Sequence, residues 1–200
     1  MANFVANWVG VDSSMAGQPL TSAYTVGSNP AYTNGIEPSS QFMQGSDPSL
    51  GVGQFVYAQM SNAAGCTLGN VVELTNTTYT SGVSVSLVLS CQQWAGTVNS
   101  GKTLAVALAT LLQNQFGWFQ VYGNALMTCS GTVVALDGAY WQAAGVVQST
   151  AVASKQMLST QCMVAPSASF GQGSAGVTPT LTAGQAIYFI NNPVSQGKIT

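Results

Sequence analysis

The chain has 200 residues and a formal net charge of −2, with 46% hydrophobic and only 4% charged residues. Its positive charges are three separated lysines, with no arginine and no histidine. We therefore expect no nucleic-acid partner, because that binding depends on Lys and Arg, and no histidine-based catalysis. No apolar stretch reaches the roughly 20 residues that cross a membrane, so no membrane partner is expected.

The first 50 residues are predicted to form an extended arm and an irregular segment. Turn-forming pairs such as Asn29-Pro30, Asn34-Gly35 and Asp47-Pro48 punctuate this stretch. The arm is expected to order against a partner through its apolar residues, which we take as candidate contact residues: Phe4, Trp8, Val9, Met15 and Leu20. The start of the chain lacks the basic and long apolar regions of a signal peptide, so synthesis in the cytoplasm is expected.

Residues 51–200 are predicted to form one all-β domain, a compact sandwich or barrel of short antiparallel strands. Short runs rich in Val, Thr, Tyr and Phe alternate there with Gly, Ser and Asn turns. The predicted strands are 54–60, 69–75, 84–90, 118–122, 125–129, 132–136, 140–147, 161–165 and 186–190. Turns are expected at Gly123-Asn124 and at Asp137-Gly138, the latter being a specific hairpin signal.

Two segments leave the secondary structure open. Residues 102–113, KTLAVALATLLQ, suit a short buried helix because Ala and Leu are good helix formers. They suit a buried strand equally well, because a continuous apolar run does not separate the two. Residues 142–158 carry the same ambiguity, and at most one or two short helices are expected.

Residues 96–103, GTVNSGKT, match the phosphate-binding P-loop pattern. In a nucleotide hydrolase Lys102 would neutralise the phosphates, Thr103 would hold Mg²⁺ and Asp137 would orient a ligand water. A P-loop needs a strand that feeds it directly, a following helix and a parallel α/β sheet. Here residues 91–95 intervene, and Asp137 is followed by Gly138 as in a turn. We therefore interpret the segment as a polar loop, and we expect neither catalytic residues nor a cofactor.

The four cysteines, at positions 66, 91, 129 and 162, contain no C-x-x-C pair. Without histidine this spacing does not indicate a zinc site. Cys91, Cys129 and Cys162 lie in or beside apolar runs, where a free thiol behaves as a small buried hydrophobe. We expect free, buried cysteines rather than disulfides or metal ligands.

Several segments resemble the small decoration, or head cement, proteins of tailed-bacteriophage capsids. The segments are VDSSMAGQPL at 11–20, GQFVYAQ at 53–59, GNVVEL at 69–74, LAVALA at 104–109 and NQFGWFQVYG at 114–123. The resemblance covers about 53–145 together with the arm. It places the 96–103 segment in a polar loop before the LAVALA strand.

The resemblance implies a virion structural protein on the outer surface of the capsid, made in the host cytoplasm, with no catalytic residues. Its partners would be the major capsid protein and copies of itself, as a dimer or trimer. Net charge near zero independently favours association. The alternative interpretation is a phage spike, fibre or adhesin module that binds a host surface, and the remote one is the P-loop hydrolase.

Overall fold

A computed structural model describes residues 5–6, 39–47, 50–81, 84–166, 181 and 184–198. These residues form eleven β-strands and no helix, so the predicted all-β class is confirmed. The described part of the chain accordingly holds no helix able to cross a membrane. The strands are β1 (Val5–Ala6), β2 (Ser39–Asp47), β3 (Gly51–Met60), β4 (Val71–Ser81), β5 (Ser84–Gln93), β6 (Leu104–Ala107), β7 (Phe116–Thr128), β8 (Ala139–Ala143), β9 (Val146–Gln148), β10 (Gln156–Val164) and β11 (Gln185–Ser195).

Five of these strands close into a first ring, in the order β3, β5, β4, β6 and β7, because β7 also pairs with β3. Neighbours in the ring are antiparallel except β3 and β5, which are parallel where Met60 faces Cys91. Alternate residues of all five strands point into the ring, as the period of two in a strand requires. The buried interior consists of Val56, Ala58, Met60, Cys66, Val72, Leu89, Cys91, Ala105, Ala107, Ala109, Leu111, Phe119 and Val121.

A second ring continues from β7 through β11, β10, β8 and β9. It is closed by one parallel bridge between Cys129, just after β7, and Val147 of β9. Its interior contains larger side chains, including Trp94, Tyr188, Met127 and Met157, all fully buried.

The two rings share a wall made of β4, β6 and β7. On β6, Ala105 and Ala107 enter the first core, whereas Leu104 and Val106 enter the second. All four residues of β6 are therefore buried, and this explains why its sequence is apolar without alternation. The first half of β7 pairs with β3 and β6, and its second half pairs with β11.

The structure resolves the two ambiguous segments as strands. Residues 104–107 of the 102–113 segment form β6, and residues 142–158 contribute to β8, β9 and β10. The predicted strands at 54–60, 69–75, 84–90, 161–165 and 186–190 overlap β3, β4, β5, β10 and β11, each agreeing to within two residues at one end and falling short of the observed strand by three to six residues at the other. Ser39–Asp47, which sequence reasoning placed in the irregular segment, forms β2 on the edge of β3.

Two predicted turns are wrong. Gly123-Asn124 lies inside β7 instead of between two strands. Gly123 has φ +99°, and a Cβ there would collide with the carbonyl oxygen of Val52, so this glycine permits close approach of two backbones. Residues 132–136 form no strand, and Asp137-Gly138 therefore does not link a hairpin. The turn lies earlier, at 134–137, where the Asp137 N–H donates to the Val134 carbonyl at 3.3 Å.

Candidate interaction surface

The residues that carry the family resemblance are mainly core residues. Trp118, Phe119 and Val121 of the NQFGWFQVYG motif lie in β7 and are nearly fully buried. Phe119 and Val121 face the first ring, while Trp118 packs on Tyr57 of β3 with ring centroids 4.9 Å apart. Both faces of this part of β7 are therefore occupied. The motif specifies the strand that the two rings share, and a partner surface has to be sought elsewhere.

The candidate contact residues Phe4, Trp8, Val9, Met15 and Leu20 lie outside the described residues. The nearest described element is β1, whose Val5 and Ala6 pair with Ser46 and Gly45 of β2. Val5 and Ala6 thus lie at the edge of the sheet.

The 96–103 loop lacks the geometry of a P-loop. It leads into strand β6, so no helix N-terminus faces it. Three of its backbone N–H groups, which would have to face a phosphate, are bonded within the protein. They donate from Asn99 to the Ser154 carbonyl (3.3 Å), from Gly101 to the Gln196 carbonyl (3.4 Å) and from Lys102 to Ser195 Oγ (2.7 Å). The loop therefore ties the first ring to the end of β11.

Ser195 is the centre of this attachment. Its hydroxyl accepts from Lys102 N–H and lies 2.7 Å from Ser100 Oγ, while its own N–H donates to the Lys102 carbonyl at 2.8 Å. Asp137, the third residue of the P-loop hypothesis, is exposed in the 134–137 turn and does not end a strand. These positions give the loop a structural role in place of a phosphate cradle.

All four cysteines are free and buried, as predicted. Burial raises the pKa of the Cys66 and Cys129 thiols from 9.0 to about 11. Burial, together with the nearby Cys66, raises the pKa of Cys91 well above its usual value, and burial also raises the pKa of Cys162. Because the thiolate is the reactive form, these groups are poor nucleophiles near neutral pH. Within the described residues, no cluster of three or more His, Cys, Asp or Glu side chains is placed to hold a metal ion.

Large apolar side chains are exposed at several points of the described surface. Four of them lie in connections between strands and two lie on strands. They are Val98, Leu112, Val134 and Leu136 in connections, with Val52 on β3 and Met163 on β10. Single exposed apolar residues need no explanation, whereas a cluster marks a contact site.

Three of these residues lie in the 134–137 turn or on the part of β10 to which the backbone of that turn is bonded. Leu136 N–H donates to the Cys162 carbonyl at 2.7 Å, and Cys162 N–H donates to the Asp137 carbonyl at 2.8 Å. Met163 follows Cys162 directly in the chain. We use the name Leu136 knob for the three exposed apolar residues of this backbone contact, Val134, Leu136 and Met163. Sequence reasoning missed it, although a leucine immediately before an Asp-Gly pair is an available signal of an apolar residue at a turn.

A second feature is a two-stranded ribbon formed by residues 76–81 of β4 and 84–89 of β5. These residues pair with each other from Asn76–Leu89 to Ser81–Ser84. β6 meets β4 only at 71–73, and β3 meets β5 only at 90–91. In the part of the chain that the structure describes, no other strand pairs with the ribbon.

The sequence of the ribbon lacks two of the features that commonly protect a strand edge. Its sequence, NTTYTSGVSVSLVL, has no charged residue and no proline, whereas natural edges are commonly blunted by both. A two-stranded hairpin is also marginally stable alone, because three or more strands or a packing partner are needed. The ribbon therefore offers a backbone edge suited to strand addition.

The candidate contact features of the described surface are therefore the ribbon, the Leu136 knob and the remaining exposed apolar residues. The sequence motifs of the resemblance contribute to the scaffold beneath it. No protein-family model matches the chain, and no curated protein matches it.

Proposed function

We propose that this protein is a structural virion subunit that binds the outer surface of a phage capsid shell and stabilises it as a cement or decoration protein. One observation carries the proposal: a tightly closed β scaffold presents an uncharged ribbon edge and exposed apolar side chains. The sequence resemblance points to the same class of protein. Its partners would be the major capsid protein and copies of itself, as a dimer or trimer.

The ribbon edge and the exposed apolar side chains would contribute differently to such an interface. Main-chain hydrogen bonds along an exposed strand edge provide affinity with little dependence on sequence. Apolar side chains add roughly 25 cal/mol for each Å² removed from water, before the entropy cost of association. Since the surface has few charges, desolvation of buried ions would cost little.

The direct test uses expanded, empty heads of the virus whose genome encodes the chain, purified without this subunit. We expect the purified chain to co-sediment with the heads, to saturate at a fixed number of copies per shell and to raise the melting temperature of the shell. Unexpanded heads and heads of an unrelated phage serve as controls. Absence of co-sedimentation, or binding to host cells in its place, would refute the proposal and favour the adhesin alternative.

A truncation tests the candidate contact residues of the arm. Deleting residues 1–20 removes Phe4, Trp8, Val9, Met15 and Leu20 together with β1. We expect loss of head binding with little change in the far-ultraviolet circular dichroism of the β domain. Retained binding would show that the arm is not the contact segment.

A further inference from the structure

Leu136 combines two properties that are rarely found together. Its φ is +72°, in the left-handed region that glycine and asparagine adopt at the least cost. Its side chain is 70% exposed, so burial does not offset that strain. The residue occupies the third position of the 134–137 turn, where a positive φ normally selects glycine or asparagine. A strained residue persists when the surrounding structure holds it, and such residues cluster at functional sites.

The backbone around Leu136 is fixed on both sides. Its N–H donates to the Cys162 carbonyl and its carbonyl accepts from Gln161 Nε2 at 3.2 Å. The preceding Val134 N–H donates to Ser149 Oγ at 2.9 Å. These bonds fix the backbone from which the Leu136 side chain projects, so binding does not have to order the turn itself.

The side chains around Leu136 define the chemistry of a fitting partner. Val134 and Met163 are 46% and 43% exposed beside it, and the exposed Asp137 carboxylate is the only charge within the turn. The knob therefore fits an apolar socket that carries a basic side chain or backbone N–H groups at its rim.

A second copy of this chain is a poor source of that socket. The chain has no arginine and only three lysines, and one of these, Lys155, lies with its Nζ 4.0 Å from the centre of the Trp141 ring. Three partly exposed side chains also fall well short of the roughly 800 Å² per partner that a stable free complex buries. Such a contact has to act together with others, as it does when one subunit touches several members of a repeating lattice.

We propose that the Leu136 knob is an anchor that inserts into an apolar, basic-rimmed socket on the major capsid protein. This inference rests on the proposed function, and it assigns a specific contact to it. On this proposal, a leucine stands at this position in place of a glycine, despite the backbone strain, because its side chain makes the contact in the bound state.

The test is Leu136→Gly, which separates stability from binding. Glycine relieves the left-handed strain, so we expect the melting temperature of the free chain to be unchanged or raised. Loss of the anchor should weaken binding to the expanded heads about ten-fold or more, as truncation of a central interface residue does. The matched control is Leu112→Gly, since Leu112 is 65% exposed in another connection and has no positive φ; binding should be unchanged.

A second variant tests the same contact in case Leu136→Gly does not fold. Asp137→Asn keeps the backbone bonds of the turn, and we expect it to reduce the salt dependence of head binding if the socket rim is basic. Wild-type affinity in Leu136→Gly, with wild-type chain bound to the heads, would overturn the anchor while leaving the proposed function intact. Failure of the wild-type chain itself to bind would refute the proposed function. A changed oligomeric state in Leu136→Gly, with unchanged head binding, would assign the knob to a second copy and overturn the capsid socket.

Discussion

The two rings close in different ways around one shared wall. In the first ring the closing pair, β3 and β7, forms a ladder of six residue pairs, although β3 and β5 share only two, and its core includes the small residues Ala58, Ala105, Ala107 and Ala109. The second ring is closed by the single Cys129–Val147 bridge, and its core contains large side chains such as Trp94 and Tyr188. The difference shows that a ring can be held by hydrogen-bonded ladders or by the volume of its core. We expect the second ring to depend more on each core side chain.

The largest expected loss of stability comes from truncating one large side chain in each core. Trp94→Ala in the second ring should cost about 5 kcal/mol of unfolding free energy, and Phe119→Ala in the first ring about 3 kcal/mol. Because β4, β6 and β7 serve both cores, urea unfolding should remain a single transition in both variants. The measurement is far-ultraviolet circular dichroism with hydrogen exchange of β5 and β11 amides, and Val98→Ala, at an exposed site, is the control. Separate unfolding of the second ring in Trp94→Ala would show that the shared wall does not couple the rings.

A pair of glycines in the 96–103 loop tests how tightly that loop packs on the second ring. Gly96 and Gly101 both have positive φ, at +65° and +59°. A Cβ at Gly96 would collide with the Trp141 ring, whereas at Gly101 the nearest atom would be 3.8 Å away. Gly96→Ala should cost about 3 kcal/mol through strain and overpacking, and Gly101→Ala only about 1 kcal/mol through strain. Equal costs by chemical denaturation would show that Trp141 yields to the added methyl group.

The buried thiols of both rings make stability fall at alkaline pH. Burial raises the pKa of Cys66 in the first ring and of Cys129 in the second to about 11, so the folded chain keeps protons that the unfolded chain loses near pH 9. Their contribution is fully present below pH 9 and is lost as the pH rises through 11. Urea unfolding from pH 8 to 11 measures the slope, and Cys66→Ala and Cys129→Ala should each reduce it. If both variants lose stability with pH as steeply as the wild-type chain does, the buried thiols are not the cause of the fall.

The smallest effects concern the link between the loop and β11. Ser195→Ala removes the hydroxyl that bonds Lys102 N–H and Ser100, and should cost about 1 kcal/mol. Lys102→Gln keeps that backbone bond, so it should leave stability within about 0.5 kcal/mol of wild type. Neither the wild-type chain nor Lys102→Gln should bind Mg-ATP in a fluorescent-analogue titration. Binding that depends on Lys102 would restore the hydrolase hypothesis.

Much of the fold could be predicted because alternation and β-branched composition mark most strands directly. The LAVALA segment could not be assigned, because β6 is buried on both faces and its pattern then carries no period. Gly123 was mistaken for a turn, since sequence does not distinguish a glycine that allows φ +99° within a strand from one that ends it. The pairing of β3 with β7 that closes the first ring joins residues about 60 positions apart along the chain. A local sequence pattern cannot predict such a long-range pairing.

The candidate surface was less predictable than the scaffold. Asp137-Gly138 indicated a hairpin turn, but the turn lies earlier, at 134–137, and its positive φ falls on Leu136. The placement depends on bonds from β10 and Ser149 that sequence cannot anticipate. The ribbon is evident only after pairing is known, because its sequence resembles that of any other predicted hairpin.

The shared strand β7 also has a mechanical consequence. Its two halves are held by ladders to β3 and β11, and ladder hydrogen bonds lie across the strand direction. A pull along β7 would therefore load many of these bonds at once in shear, while the tension itself runs through the covalent backbone from one ring to the other. For a subunit bound to a shell, as proposed, a load applied along β7 would be resisted by both ladders together.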